Sequence, residues 1–312
     1  MGRTVLVLGG GGALGAYQAG SLLALAEAGV LPDAIVGCSA GALNAAFLAS
    51  DPGTARARAL VDWWTDARSR TLLAPGWRTR VSGLVRSGGA ALLDAAALRG
   101  FVASEVPCHD LSELAVPVTA VTTCLDCCAS VAHRSGPVAD ILAASCSLPG
   151  LLPPVLLPDG HLHVDGGVTD GVPLAAALAQ AGPDDEVLVL DCGLAPVTRL
   201  ADCAAGPQPG RAGCGLPSAD PRSYTPPVER SRGAVDVVLR SFTAARAAAS
   251  EGATRPGLAD PRVHVLPHVA DAWSAGLLPQ LPRGPRDLSR AGSLVDAGHR
   301  AAAAWLRTAV LR

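Results

Sequence analysis

The stretch Ala34-Ile35-Val36-Gly37-Cys38-Ser39-Ala40-Gly41-Ala42-Leu43-Asn44 decides how the chain is read. A short apolar run ends in Gly-x-Ser-x-Gly and passes at once into a helix-forming run. The order is strand, sharp turn, helix, with a serine at the tip. Gly37 and Gly41 leave room for a turn tight enough to strain the serine backbone and expose its hydroxyl. The helix that starts there offers unpaired N–H groups and its positive dipole end to any anion forming at Ser39. The competing account is a glycine-rich connector that carries a serine by chance. The strand–turn–helix context favours Ser39 as a nucleophile.

One strand earlier, Thr4-Val5-Leu6-Val7-Leu8 is a continuous apolar run, as expected of a buried parallel strand. It opens into Gly9-Gly10-Gly11-Gly12-Ala13-Leu14-Gly15, and Ala16 to Ala28 reads as a helix closed by Gly29. Gly10-x-Gly12-x-x-Gly15 also satisfies a dinucleotide fingerprint. That fold wants a carboxylate at the end of the second strand. Here Asp33 precedes that strand, and Gly37-Cys38-Ser39 ends it. A nucleotide- or phosphate-binding protein without chemistry is therefore the alternative reading. In a parallel sheet both loops leave the same edge and can face each other. Consecutive glycines let backbone N–H groups turn inward to cradle an anion. Beside a serine nucleophile, that anion is the oxyanion of a tetrahedral intermediate.

A serine nucleophile needs a base. Asp165-Gly166-Gly167 places a carboxylate at the end of a strand, although Asp-Gly is also a common turn pair. A Ser-His-Asp esterase should carry its histidine late, in a loop after a strand. His264 lies inside a strand pattern and His299 inside a helix, so His268 is the fair candidate. Before it stand only Asp260 or Asp191 as a third member.

Composition narrows the function classes. The formal net charge of −2 supplies no basic field, so no nucleic-acid partner is expected. Nine scattered cysteines and no secretory leader predict reduced thiols in a cytoplasm. No apolar run reaches about 18 residues, so no transmembrane helix is expected. Peripheral membrane contact is compatible with such a chain. Cys124-x-x-Cys127-Cys128 lacks a second CxxC, and His133 stands alone, so no metal and no cofactor are assigned.

Residues 51–104 are expected to cap the active edge, with one of Trp63 and Trp64 in the core and the other at the surface. Residues 201–230 read as a mobile surface loop, 234–250 as a helix, 262–266 as a last strand, 271–287 as loop and 289–311 as a final helix. Strands alternate with helices, which predicts an α/β fold: a three-layer α/β/α sandwich with a mainly parallel central sheet. The expectation is one domain over 1–312, with a core at about 4–193 that 231–312 completes.

Four stretches together resemble the patatin-like phospholipases. Gly10-Gly11-Gly12-Ala13-Leu14-Gly15-Ala16-Tyr17-Gln18-Ala19-Gly20 is similar to that family's glycine-rich loop. Gly37-Cys38-Ser39-Ala40-Gly41 is similar to its nucleophile elbow, and Ala144-Ser145 through Pro153-Pro154 to its Ala-Ser and Pro-Pro stretch. Asp165-Gly166-Gly167 is similar to its Asp-Gly-Gly motif. They occur in the family's order. The resemblance implies a Ser39–Asp165 dyad without histidine, an oxyanion hole from the Gly10, Gly11 and Gly12 amides, and a lipid or phospholipid ester as substrate. The family often carries Arg or Lys where Leu14 stands, which implies that backbone amides suffice here.

Overall fold

The protein is described by a computed structural model over residues 2–66, 95–193, 252, 254–274 and 288–309. β1 (Thr4–Leu8), α1 (Gly15–Glu27), β2 (Ala34–Cys38), α2 (Ala40–Ala49) and α3 (Thr54–Thr65) come first. α4 (Ala96–Glu105), β3 (Val118–Cys124), β4 (Ala129–His133) and α5 (Val138–Ser145) follow. Next are β5 (Val155–Leu156), β6 (Leu162–Asp165), α6 (Leu174–Leu178) and β7 (Glu186–Leu190). β8 (Val263–Val265), α7 (Val269–Ser274) and α8 (Ala291–Leu306) are the last described elements.

The strands join one sheet in the order β5-β6-β3-β2-β1-β7-β8, with β4 also on β3. β3, β2, β1, β7 and β8 are parallel. β4 and β6 run antiparallel to β3, and β5 antiparallel to β6. Alternation along β1 explains the layers. Leu6 and Leu8 point into a core shared with α1, α2, α3 and α8. Val5 and Val7 point the other way, against Leu174 and Ala177 of α6. Helices on both faces of a mostly parallel sheet are the α/β/α sandwich read from the sequence.

The register around β3 fixes where the strands that carry Ser39 and Asp165 come to an end. β4 takes one edge of β3, from Ala120 to Cys124. β2 pairs with Val118 to Val121 and β6 with Thr122 to Cys124. Both overlap the span of β4, so both lie on the opposite edge. β2 arrives in parallel and ends with Cys38 opposite Val121. β6 arrives from the other direction and ends with Asp165 opposite Thr122. Two strand ends therefore meet head-on, one residue step apart.

Helix packing at the back uses bare backbone. A Cβ on Gly20 would lie 2.0 Å from the Val295 carbonyl oxygen, and one on Gly298 2.0 Å from that of Tyr17. Glycines at both places let α1 and α8 touch main chain to main chain. On the other side of α1, a buried polar chain links four elements. Trp64 Nε1 donates to Asn44 Oδ1 at 2.8 Å, Asn44 Nδ2 to Gln18 Oε1 at 2.8 Å, and Gln18 Nε2 to the Leu190 carbonyl at 2.9 Å. Each buried donor finds its acceptor, which spares the 1–3 kcal/mol or so that an orphaned group costs.

Three expectations need correction. Both tryptophans are buried, because Trp63 stacks on Phe101 of α4 at 4.6 Å between ring centroids while Trp64 fills the core. Neither ring lies at the surface. Residues 271–274 are helical, as part of α7, where loop was expected. The sequence also reads as a helix from Val172 to Ala181, and the helix found is shorter: Pro173 caps α6, which runs from Leu174 to Leu178. Much of the expected cap (67–94), the 201–230 loop and the 234–250 helix lie outside the described residues.

Candidate active site

Ser39 sits between β2 and α2 with φ 54° and ψ −124°. A side chain at positive φ is strained, at a cost of about 1–3 kcal/mol that the surroundings must offset. They do so by close packing of glycine on backbone. A Cβ on Gly37 would lie 2.7 Å from the Gly41 carbonyl oxygen, and one on Gly41 2.1 Å from that of Leu8. The Ser39 N–H donates to Ser145 Oγ at 2.9 Å, and Ser145 Oγ donates to the Val121 carbonyl at 2.7 Å. Ser145, at the end of α5, thus pins the turn to β3. Its place in the Ala-Ser stretch was visible in the sequence; its partner was not.

Ser39 Oγ donates to Asp165 Oδ2 at 2.7 Å. The serine is 8% exposed and the aspartate 2%. Asp165 is fixed from several sides. Its Oδ1 accepts the Gly167 N–H at 2.8 Å, its own N–H goes to the Ser147 carbonyl at 3.0 Å, and Thr123 Oγ1 donates to its carbonyl at 3.1 Å. Gly167 therefore occupies one carboxylate oxygen and leaves the other to Ser39. Gly166 is needed for contact: a Cβ there would lie 2.3 Å from the Val121 carbonyl oxygen.

The glycine loop lies against this pair. A Cβ on Gly10 would be 3.1 Å from Ser39 Cβ. One expectation changes here. The Gly10 N–H donates to the Gly171 carbonyl at 2.9 Å, so it is spent on structure. The donors left to the loop's expected role are Gly11 and Gly12, the latter at φ 56°. Gly11 has no room for a side chain, with the Cys192 carbonyl oxygen 2.2 Å from where a Cβ would stand. Gly15 is held as tightly, 2.6 Å from the Trp64 ring by the same measure.

A thiol stands beside the Ser39–Asp165 pair. Burial, and then the charge of Asp165, push the Cys146 thiol well above its usual value, although a hydrogen bond with Ser39 works the other way. It stays protonated at neutral pH. No imidazole is hydrogen-bonded to Ser39 among the described residues. His268 uses Nε2 on the Gly193 carbonyl at 3.0 Å and Nδ1 on the Ala270 N–H at 3.0 Å. His264 is bonded to Glu186, and His299 to Glu27.

Asp170 was missed in the sequence and is the odd carboxylate of the site. It follows the Asp165 motif, its N–H donates to the Gly166 carbonyl at 2.8 Å, and it is 8% exposed. One of its oxygens has no hydrogen-bond partner among the described residues. Burial pushes its pKa up to about 6, only partly offset by the Val172 N–H. The neutral form is favoured by folding, so its stabilisation is complete below about pH 4 and lost as pH rises to about 6. Above that the buried charge costs up to about 3 kcal/mol. Asp170→Asn is expected to raise the thermal midpoint at pH 7 and leave it nearly unchanged at pH 4. An equal effect at both values would contradict this account.

Fold and site together define the class. Residues 6–178 match the family described as patatin-like phospholipase. That is more than half of the chain, and the chain belongs to the patatin-like phospholipase family. Among its relatives, mouse patatin-like phospholipase domain-containing protein 7 is 31% identical over 199 residues, 62% of this chain and 14% of that protein. Human patatin-like phospholipase domain-containing protein 6 is 32% identical over 201 residues, 64% of this chain and 14% of that protein. The chain thus spans a small part of the length of these relatives. The crystal structure of VipD from Legionella pneumophila aligns with 98% of this chain and 67% of its own, at 14% identity and a TM-score of 0.48.

Proposed function

We propose that this chain is a serine acyl hydrolase that cleaves lipid carboxylic esters, of phospholipase A, lysophospholipase or lipid esterase type. The observation that carries the reading is the 2.7 Å bond from Ser39 Oγ to Asp165 Oδ2 at a strained, buried turn. In the first step Ser39 Oγ attacks the ester carbonyl carbon and its proton passes to Asp165 Oδ2. Charge gathers on the carbonyl oxygen, where the Gly11 and Gly12 N–H groups receive it. Collapse expels the alcohol, which takes the proton back from Asp165 and leaves Ser39 acylated. Water then attacks the acyl-serine, gives its proton to Asp165, and the acid leaves as Ser39 recovers its hydrogen.

An ordinary aspartate, with a pKa of about 3.9, is a weak base for a hydroxyl, so geometry must do most of the work. The direct contact and the exclusion of bulk water supply it. The uncharged Leu14 beside the loop supports a reading in which backbone dipoles alone meet the oxyanion. No helix among the described residues is long and apolar enough to cross a membrane. In this reading the enzyme meets its lipid by peripheral contact with a membrane surface, on the cytoplasmic side.

A fluorophosphonate probe separates this from a binding protein, since it marks only an activated serine. The wild-type chain is expected to label with one equivalent and to hydrolyse a short-chain nitrophenyl ester. Ser39→Ala should do neither at an unchanged thermal midpoint. Labelling or full turnover in Ser39→Ala would refute the proposal.

A further inference from the structure

Beyond the active edge, the turns after β3 and before β6 meet, and their side chains gather in a cluster that the chemistry at Ser39 does not use. Cys124 ends β3, Cys127 lies in the turn that follows, and His161 comes just before β6. The two sulfurs and a ring nitrogen of His161 all lie within 4.8 Å of one another. Two hydrogen bonds hold the turns together: the Leu125 N–H donates to the Leu162 carbonyl at 2.8 Å, and the Leu162 N–H to the Asp126 side chain at Oδ2, 3.0 Å away. Asp126 is also 3.4 Å from His161 Nδ1. His163, two residues on, is engaged elsewhere, with Nε2 on Asp159 at 2.9 Å and Nδ1 on Thr122 Oγ1 at 2.8 Å.

We propose that Cys124, Cys127 and His161 form a site for a thiolate-seeking divalent cation of the zinc class, which staples the β3–β4 turn to the β5–β6 turn. Two sulfurs and an imidazole are the donor set such an ion selects over oxygen-seeking cations. The Cys-x-x-Cys turn brings both sulfurs to one point. Bonds of about 2.3 Å to sulfur and about 2.0 Å to nitrogen set tetrahedral ligand atoms roughly 3.5–4 Å apart. Closing from the present separation takes side-chain rotation at Cys127, which is exposed, and His161, which is half-buried. Cys124 is buried and supplies the fixed point.

A second feature prepares the sulfur. The Cys127 N–H already donates to Cys124 Sγ at 3.2 Å, the kind of bond that steadies a metal-bound thiolate. Asp126 is the carboxylate placed to orient the imidazole. Cys128 is outside the set, its thiol turned to the Leu125 carbonyl at 3.6 Å. On binding, both thiols give their protons to solvent, and a water takes the fourth position. The staple would hold β6, and with it Asp165, against β3. The ion takes no part in ester cleavage.

Cobalt(II) is the probe, added to the reduced, chelator-treated full chain. Wild type is expected to bind one equivalent with sulfur-to-cobalt charge-transfer absorption and intense tetrahedral d–d bands, displaced by zinc. Cys127→Ser and His161→Ala should each weaken binding at least tenfold, and the double variant should abolish the bands. Cys128→Ser should bind as wild type does. Zinc should raise the thermal midpoint of wild type and leave that of the double variant unmoved. The absence of charge-transfer bands in the wild type, or their persistence in the double variant, would overturn the proposal.

Discussion

Asp165→Asn is expected to lower turnover about 10⁴-fold, the scale seen when the group that orients or takes a serine proton is made an amide. The substitution keeps the shape. Its amide oxygen can still accept the Gly167 N–H, which now meets Oδ1 at 2.8 Å. The amide nitrogen then faces Ser39 as a donor, so the hydroxyl can no longer give its proton in that direction. His268→Ala serves as the contrast. Both of its ring nitrogens are spent on backbone groups of Gly193 and Ala270, so its loss should spare most of the turnover. The measurement is kcat on a soluble ester, with thermal midpoints to show that both variants fold. An inactive His268→Ala beside an active Asp165→Asn would replace the dyad with a histidine triad.

Gly41→Ala is expected to damage the fold itself. The new methyl group would stand 2.1 Å from the Leu8 carbonyl oxygen and 2.8 Å from that of Gly9. These are main-chain atoms of β1 and its loop, so no side chain can swing aside. Overpacking of this kind costs about 3 kcal/mol or more, a large share of a domain's stability of about 5–15 kcal/mol. A fall of roughly 5–10 °C in thermal midpoint, or loss of soluble protein, is the expected reading. Gly292→Ala is the control: nothing lies within 4 Å of its Cβ position, and alanine suits the first turn of α8. Equal midpoints for the two variants would show that the turn can relax, and that the strain at Ser39 is not held by close packing.

Much of the site was legible because its signals are local. An apolar run, a glycine turn and a helix-forming run around Ser39 are consecutive residues, as are Asp165, Gly166 and Gly167. The unread parts depend on distant partners. Nothing near Gly10 in the chain announces that Gly171 will take its N–H. Trp63 is buried by Phe101, which arrives on a helix formed much later. Cys124 and Cys127 looked like an incomplete set because their neighbour is His161, brought by a second hairpin, and not His133 on their own. Asp170 reads as a loop residue until the fold closes over it and leaves one oxygen without a partner among the described residues.

The head-on meeting of β2 and β6 has a consequence for how this site can change over time. The gap between Ser39 Oγ and Asp165 Oδ2 is counted out in whole residues along β3, from Val121 to Thr122. A point substitution can soften or sharpen the contact, but an inserted or deleted residue in β3, β2 or β6 shifts the count. Because side chains alternate, a slip of one would turn Val164 or Gly166 toward Ser39 in place of the carboxylate. Length changes are thereby steered away from these three strands and into the connections between other elements. Lineages of this fold would diverge by the size of their loops, while the spacing of the chemistry is inherited as an integer.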